Sequence, residues 1–355
     1  MESLKAALTK ERCLSLGDNG YDVLRLILAA MVVYSHSYAI GGYGDEPLAR
    51  LCKEPMIFGE LGVLGFFALS GFLVSASAAR SRSLFSYFSK RVRRIFPGFW
   101  VCLVVTAFLI APAIWLAGGG ALGEFPWVGP QGAVSYVISN FFLKVNQHVV
   151  GGVIGESPWP GSINGSLWSL YPEFLCYLAV AVLLVGGALG ESRWLMAGAL
   201  CASFLYHALK LVAGQGVFPD IPSFYAFSKW PPYLTAFAAG ACGYAWRDNV
   251  RFSAATVCVL VLACAVTLKF GGFNIISPLL VSALVLCAGS CFTVRLKTDL
   301  SYGIYIYSFP CQHLLFALGV ASLPVAVFIV ASLLLSAGCA WLSWTLVERP
   351  ALGRG

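Results

Sequence analysis

Three ionisable side chains stand inside stretches of sequence that are otherwise almost wholly apolar. Arg25 and His36 lie in YDVLRLILAAMVVYSH, residues 21–36, and Glu173 lies in NGSLWSLYPEF, residues 164–174. On a helix, the step of eleven residues from Arg25 to His36 leaves only about 20° after three turns, so the two share one face, roughly 16 Å apart along the axis. A charge at the centre of a membrane costs about 3 kcal/mol or more, so such groups face a bundle interior or water. With Asn164 or Ser166 as an N-cap, Glu173 falls about 10–14 Å below the outer end of its helix, a depth similar to that of His36. An imidazole beside a carboxylate is a pairing used in general acid–base catalysis. Pro172, next to Glu173, removes a backbone N–H and makes that helix irregular. Each group also has a structural reading. Arg25 could snorkel to the cytoplasmic interface, His36 could be a satisfied core histidine, and Glu173 could bond a neighbouring helix. The shared face of Arg25 and His36 favours the functional reading of the pair.

A basic cluster follows in FSKRVRRIFPGFW, residues 88–100, where Lys90, Arg91, Arg93 and Arg94 precede an apolar run. Topology and anionic lipid account for such a cluster. So does a phosphate site, because guanidinium groups match phosphate bidentately, and a cytoplasmic anionic cosubstrate would dock there. LSYGIYIYSFPCQH, residues 300–313, carries Tyr302, Tyr305, Tyr307, Ser308, Gln312 and His313, and some of these should line the same polar interior. Trp168, together with Trp127 and Trp159, could stack on sugar rings or anchor at the membrane interface. In GVLGFFALSGFLVS, the small residues Gly62, Gly65, Ala68, Gly71 and Ser75 suit tight helix packing, or passage of a thin extended ligand. His148 and His207 lack neighbours at metal-ligand spacing and read as structural. The 12 cysteines lie mostly in apolar runs without CxxC spacing; they read as small packing residues, and no metal site is expected.

The elements that must position these groups are membrane helices. Of 355 residues, 59% are hydrophobic and 11% charged, with mean hydropathy +0.81. Soluble domains carry about 25% charged residues, and a soluble fold could not hide so much apolar surface. Runs long enough to span occur at 22–40, 57–79, 96–117, 166–187, 194–213, 230–247, 252–270, 274–293, 300–319 and 324–346. The segment 132–150 is broken by Gln131, Ser135, Asn140, Lys144, Asn146, Gln147 and His148 and reads as a surface or re-entrant element. The first twenty residues are too polar for a signal peptide. With ten spans the termini share a side. That side holds 16 of the 23 Lys and Arg, the opposite side 6, and Arg25 lies within a span, so both termini are expected in the cytoplasm. The predicted fold class is therefore all-α transmembrane, a bundle of about ten helices forming a single domain over 1–355. A basic cytoplasmic loop covers 80–95, and a long outer loop rich in Gly, Pro and Trp covers 118–165.

In this order these elements resemble the acyltransferase 3 family of membrane acyltransferases. The resemblance rests on Arg25 and His36 in the first span and GFFALSGFL in the second. It continues with Arg91, Arg94, Ile95 and Pro97, then SLWSL from Ser166 to Leu170 followed by Glu173, LSYGIYIY, and VERP from Val347 to Pro350. It implies transfer of an acyl group, usually acetyl, from cytoplasmic acetyl-CoA to a carbohydrate hydroxyl, at a bacterial inner membrane. By carry-over, His36 and Arg25 become the functional pair, and Arg91 and Arg94 the candidate cofactor contacts. Glu173 is the candidate partner of His36, and Trp168, Tyr305 and Ser308 are candidate substrate contacts. Many members have a His before Phe-Pro where this chain has Ser308, which puts an essential role for that position in doubt. The fused extracytoplasmic domain of some members is not expected here, so the chain acts alone or hands its acyl group to a separate partner. Expected partners are acyl-CoA, a carbohydrate or lipid-linked glycan acceptor and membrane lipids, with no nucleic acid. The competing class is a secondary transporter or flippase of a lipid-linked sugar, which also buries charges near the midplane. The inverted repeats and half-helices of many transporters are not evident, and a transporter needs no site for a nucleotide-like cofactor.

Overall fold

The structure is a computed structural model, which describes residues 11–17, 19–185, 193–213, 229–291, 294, 296 and 298–353. Each of the ten predicted segments contains a helix: α1 (Tyr21–Gly41), α2 (Phe58–Ala79), α3 (Leu84–Val105, continued to Ala117), α5 (Leu170–Val185), α6 (Arg193–Ala213), α7 (Pro231–Ala245), α8 (Ala254–Phe270), α9 (Phe273–Cys291), α10 (Ser301–Ala317) and α11 (Val325–Ser343, continued to Ala351). The broken segment 132–150 contributes α4 (Ala133–Asn140). The ends of two predicted spans, 186–187 and 292–293, and the basic residues Lys5, Lys10, Arg295, Lys297 and Arg354 lie outside the described residues. Among the described residues, seven helices are long and apolar enough to cross a membrane. The helices α7, α8 and α10 are shorter, at 15, 17 and 17 residues, against the roughly 20 that a perpendicular crossing needs. The only paired strands among the described residues are the short β1 (Arg12–Cys13) and β2 (Arg251–Phe252). The chain is an all-α integral membrane protein.

One expectation is corrected. The basic loop assigned to 80–95 is helical from Leu84 onward. The charges of Lys90 to Arg94 ended the apolar run and hid a helix in which Tyr87 and Ile95 are buried while Arg93 is exposed. The basic residues therefore ride on a rigid element.

The chain divides into two compact units. The first comprises the segment ending at Arg25, Leu48–Tyr87 and Pro172–Lys297; the second comprises Leu26–Pro47, Phe88–Tyr171 and the residues from Thr298. Within the first, α2 packs on α7 and α9, α6 on α7, and α8 on α9. Gly71 and Gly240 set the α2–α7 approach. A methyl group on Gly71 would overlap the Phe237 carbonyl, and one on Gly240 the Ala68 carbonyl. The small-residue stripe of α2 is thus a packing surface, as in membrane bundles generally. At the start of α1, Tyr21 occupies space left open by Gly289, and its hydroxyl bonds Ser290 Oγ at 2.8 Å.

Within the second unit, α10 packs on α11, with Gly303 against Ala340. The outer loop is wired internally. Buried Asn140 receives the backbone N–H groups of Asn146 and Gln147 at 2.8 and 3.0 Å, while Gln147 donates to the Gly132 and Val149 carbonyls. The polar residues that argued against a span are the loop's own fastenings. His148 is exposed, but its carbonyl accepts from the Ile163 N–H at 2.8 Å, and this fixes the segment leading into Asn164.

Candidate active site

Proline chemistry builds the floor of the site in the second unit. Pro310 lies inside α10 and has no N–H to give the carbonyl four residues earlier. That carbonyl, Ile306 O, instead accepts from Asn164 Nδ2 at 2.8 Å and from Cys102 Sγ at 3.2 Å. An acceptor-only partner fixes the Asn164 amide, so Oδ1 points away from it, and Oδ1 has no protein hydrogen-bond partner. The same α10 carries Tyr305, whose hydroxyl donates to Ser166 O at 3.0 Å and pairs with Ser169 Oγ at 2.6 Å. Because the phenol proton goes to the carbonyl, Ser169 supplies the proton of the second bond. These bonds clamp the 3₁₀ turn Gly165–Ser169 onto α10. Gly165 is required there, since a side chain would strike the Phe309 ring.

His36 comes to this floor from α1. Its ring meets the Phe309 ring edge-on at 4.8 Å, and the His313 ring lies 5.4 Å from the same Phe309 ring. His313 is 1% exposed, whereas His36 is half-buried. One helical step from His36, the chain is fastened: Gln312 Nε2 donates to Val33 O and to Ser37 Oγ, both at 2.8 Å. The Nδ1 atoms of His36 and His313, Asn164 Oδ1, Gln312 Oε1 and the hydroxyls of Ser162 and Ser166 are all buried without a protein hydrogen-bond partner. Buried polar atoms are satisfied in the great majority of cases, so such a concentration needs explaining by function or a bound partner.

The remaining predicted residues fall as follows. On the continuous α1, Arg25 sits three turns from His36 on the same face and forms a half-exposed 3.5 Å pair with Asp22. Glu173 belongs to the first unit. Its Oε1 accepts from Ser70 Oγ and from the Tyr177 hydroxyl, each at 2.6 Å, and Tyr87 donates to the Tyr177 carbonyl at 2.9 Å. Glu173 is thus held by hydroxyls of its own unit. Arg91 is half-buried on α3. Arg94 is ion-paired with Asp299, with its guanidinium 5.9 Å from the centre of the Tyr302 ring. Asp299 also accepts from Ser301, and the Tyr302 hydroxyl bonds Ile95 O at 2.8 Å. Trp168 is half-buried. Ser308 is wholly buried and turns its hydroxyl back to Tyr305 O at 3.2 Å. Two residues read as structural behave differently: His148 is exposed, while His207 is buried and bonds Asn274 O at 2.9 Å.

Sequence reasoning missed Asp299, Glu348, Ser70 and Tyr177, and it gave Asn164 a capping role, whereas its side chain makes no cap bond and holds Ile306 O instead. Glu348 is 3% exposed in the π-helical turn Trp344–Glu348; it accepts from Ser343 at 2.8 Å, and its Oε2 has no hydrogen-bond partner. It sits in the VERP motif, whose position at the end of an apolar run gives no local sign that the carboxylate is buried. Ser70 was overlooked because a serine in a small-residue stripe reads as packing.

Comparison with known proteins bears on what this arrangement does. The profile of the family described as "Acyltransferase domain" matches residues 18–345. The chain is 29% identical over 358 residues to an "O-acetyl transferase" of Shigella phage Sf6, covering 95% of this chain and 96% of that protein. It is 28% identical over 367 residues to "Nodulation protein 10" of Rhizobium leguminosarum bv. viciae, covering 94% and 93%. No solved structure matches. The family match takes in the Arg25–His36 helix, the basic face of α3, the Asn164–Glu173 segment and α10 together, and the chain belongs to this family of membrane acyltransferases.

Proposed function

We propose that the protein transfers an acyl group, acetyl in the first instance, from cytoplasmic acyl-CoA to a hydroxyl of a cell-surface carbohydrate or related acceptor, working in a bacterial inner membrane. The observation that carries this reading is the cluster around Phe309, where His36 and His313 bring imidazole nitrogens into a polar interior otherwise built of neutral groups. Neutral hydrogen-bonding groups suit an uncharged hydroxyl-bearing acceptor, and imidazole is the base most often used to activate one. The name of the phage relative supports acetyl as the group transferred.

Acyl-CoA enters as the donor substrate. Arg91 and Arg94 on α3 are suited to its phosphates, since guanidinium groups bind phosphate bidentately. Arg94 must then share or leave Asp299, so docking exchanges one anion for another at the same cation. Arg25 adds positive charge at the cytoplasmic end of the face that carries His36. The extended arm of the donor covers the roughly 16 Å between them. His36 acts either as general base on the acceptor hydroxyl or as the nucleophile that first takes the acyl group. Glu173, held by Ser70 and Tyr177, is the carboxylate proposed to take part in the reaction, and Trp168, Tyr305 and Ser308 bound the acceptor side. Tyr305 does this indirectly, by holding Ser166 and Ser169 in place.

Calorimetric titration of acetyl-CoA into protein in nanodiscs tests the donor assignment. Saturable binding that weakens about tenfold in Arg91→Ala is expected, equal to about 1.4 kcal/mol. Absence of binding at millimolar acetyl-CoA by folded wild type would overturn it.

A further inference from the structure

We infer that His313 is a second catalytic base of this site and takes the proton of the incoming hydroxyl, which leaves His36 free to carry the acyl group. The inference rests on the acyl-CoA reading above.

The argument starts from the tautomer. His313 Nε2 lies 3.1 Å from Ser162 O. A carbonyl only accepts, so in the neutral ring Nε2 carries the hydrogen and Nδ1 carries the lone pair. That Nδ1 is buried without a protein hydrogen-bond partner. A histidine serving only as a fastening between α10 and the outer loop would need Nε2 alone. Its placement says more, because the ring lies 5.4 Å from Phe309, which also meets the His36 ring. Asn164 and Gln312, whose amides bond carbonyls of the helices that carry His313 and His36, likewise keep Oδ1 and Oε1 buried without a protein donor. These segments of the second unit therefore hold surplus hydrogen-bond acceptors, which suit a ligand that brings O–H protons.

Two bases permit a two-step transfer. In the first step a ring nitrogen of His36 attacks the thioester carbonyl. The C–N bond forms, the C–S bond breaks, and the departing thiolate receives the ring proton that His36 loses. In the second step the acceptor oxygen attacks the acyl carbon while its proton passes to His313 Nδ1. The C–O bond forms, the C–N bond breaks, and His313 returns the proton to His36. Both rings end neutral, and the net change is acyl-CoA plus alcohol to ester plus CoA thiol.

The test uses full-length protein in nanodiscs and acetyl-CoA labelled in the acetyl group, with water as the accepting hydroxyl. His313→Gln keeps an N–H donor for Ser162 O but has no base. Rapid quenching of this variant should show label bound to the protein, absent in His36→Ala, with release slowed at least tenfold and acetyl-CoA affinity unchanged. In parallel, ¹⁵N spectra of imidazole-labelled wild type should assign the proton of His313 to Nε2. Release at the wild-type rate from His313→Gln, no protein-bound label in that variant despite bound acetyl-CoA, or an Nδ1–H tautomer would each overturn the inference. Wild type that binds no acetyl-CoA would overturn the donor reading as well, and this result is distinct from the other three.

Discussion

Pro278 inside α9 and Pro310 inside α10 each free a backbone carbonyl, and the two carbonyls are handled differently. In α9, Pro278 frees Asn274 O, which His207 takes at 2.9 Å; the ring is buried and its reachable nitrogen is spent. In α10, Pro310 frees Ile306 O, which Asn164 takes at 2.8 Å, leaving Asn164 Oδ1 without a protein donor, and the Nδ1 atoms of His36 and His313 are likewise unpartnered. The physical problem is the same, a helix carbonyl without its N–H in an apolar medium. In the first unit the repair closes the account of polar groups. In the second, the repairing side chain keeps an acceptor, Oδ1, buried without a protein donor. A histidine in a membrane helix is thus informative through what its second nitrogen meets, and not through its presence alone.

The comparison can be broken by removing each repairing side chain. Asn164→Ala should cost about 1–3 kcal/mol, because a buried carbonyl loses its donor, and should also lower acyl transfer at least tenfold per folded molecule. Thermal unfolding in nanodiscs and CoA release from acetyl-CoA read the two effects separately. His207→Ala should show a stability loss of the same order, about 1–3 kcal/mol, with transfer per folded molecule unchanged. Transfer lost equally in both variants would remove the distinction between the two repairs.

A smaller effect sharpens the role of Glu173. Its Oε1 receives two hydroxyls at 2.6 Å, so Ser70→Ala or Tyr177→Phe alone leaves one donor. Each single change should reduce transfer by a few fold and the double change by about tenfold or more, since a typical hydrogen bond contributes about 0.5–1.5 kcal/mol. Full activity in the double variant would relegate Glu173 to packing.

The smallest effect lies outside the membrane. Glu54 accepts from the Gly272 and Asn274 N–H groups at 2.7 and 3.0 Å, which ties the loop before α2 to the start of α9. Those backbone donors hold its carboxyl below the ordinary value of 4.5. A depressed pKa contributes stability that is present above the unfolded value and lost as pH falls through the folded one. Wild type should therefore melt slightly above Glu54→Gln at pH 7, with the gap closing as the pH drops below about 4.5. A gap independent of pH would show that the carboxylate charge is not what holds this turn.

The helices were legible because membrane spans announce themselves by apolar length, a signal that needs no tertiary context. The start of α3 was not, since Lys90 to Arg94 interrupt the apolar run while extending the same helix. Arg25 and His36 were legible as exceptions in an apolar stretch, and helix geometry alone placed them on one face. The partners of the candidate residues were not legible. Nothing local links Glu173 to Ser70, Arg94 to Asp299, or His313 to the carbonyl of Ser162, because each bond joins segments far apart in the chain. Ser308 shows the converse. Its position in SFP suggests a site residue, yet its hydroxyl bonds its own helix, a local choice open to any helical serine.

The central claim is that His36 is where acyl chemistry occurs. Chromatographic measurement of CoA released from acetyl-CoA, by wild type and by His36→Ala at equal bound acetyl-CoA, tests it most directly. The account predicts that His36→Ala binds the donor with unchanged affinity and releases CoA at least about 10²-fold more slowly. Release at the wild-type rate from a folded, donor-bound His36→Ala would contradict it.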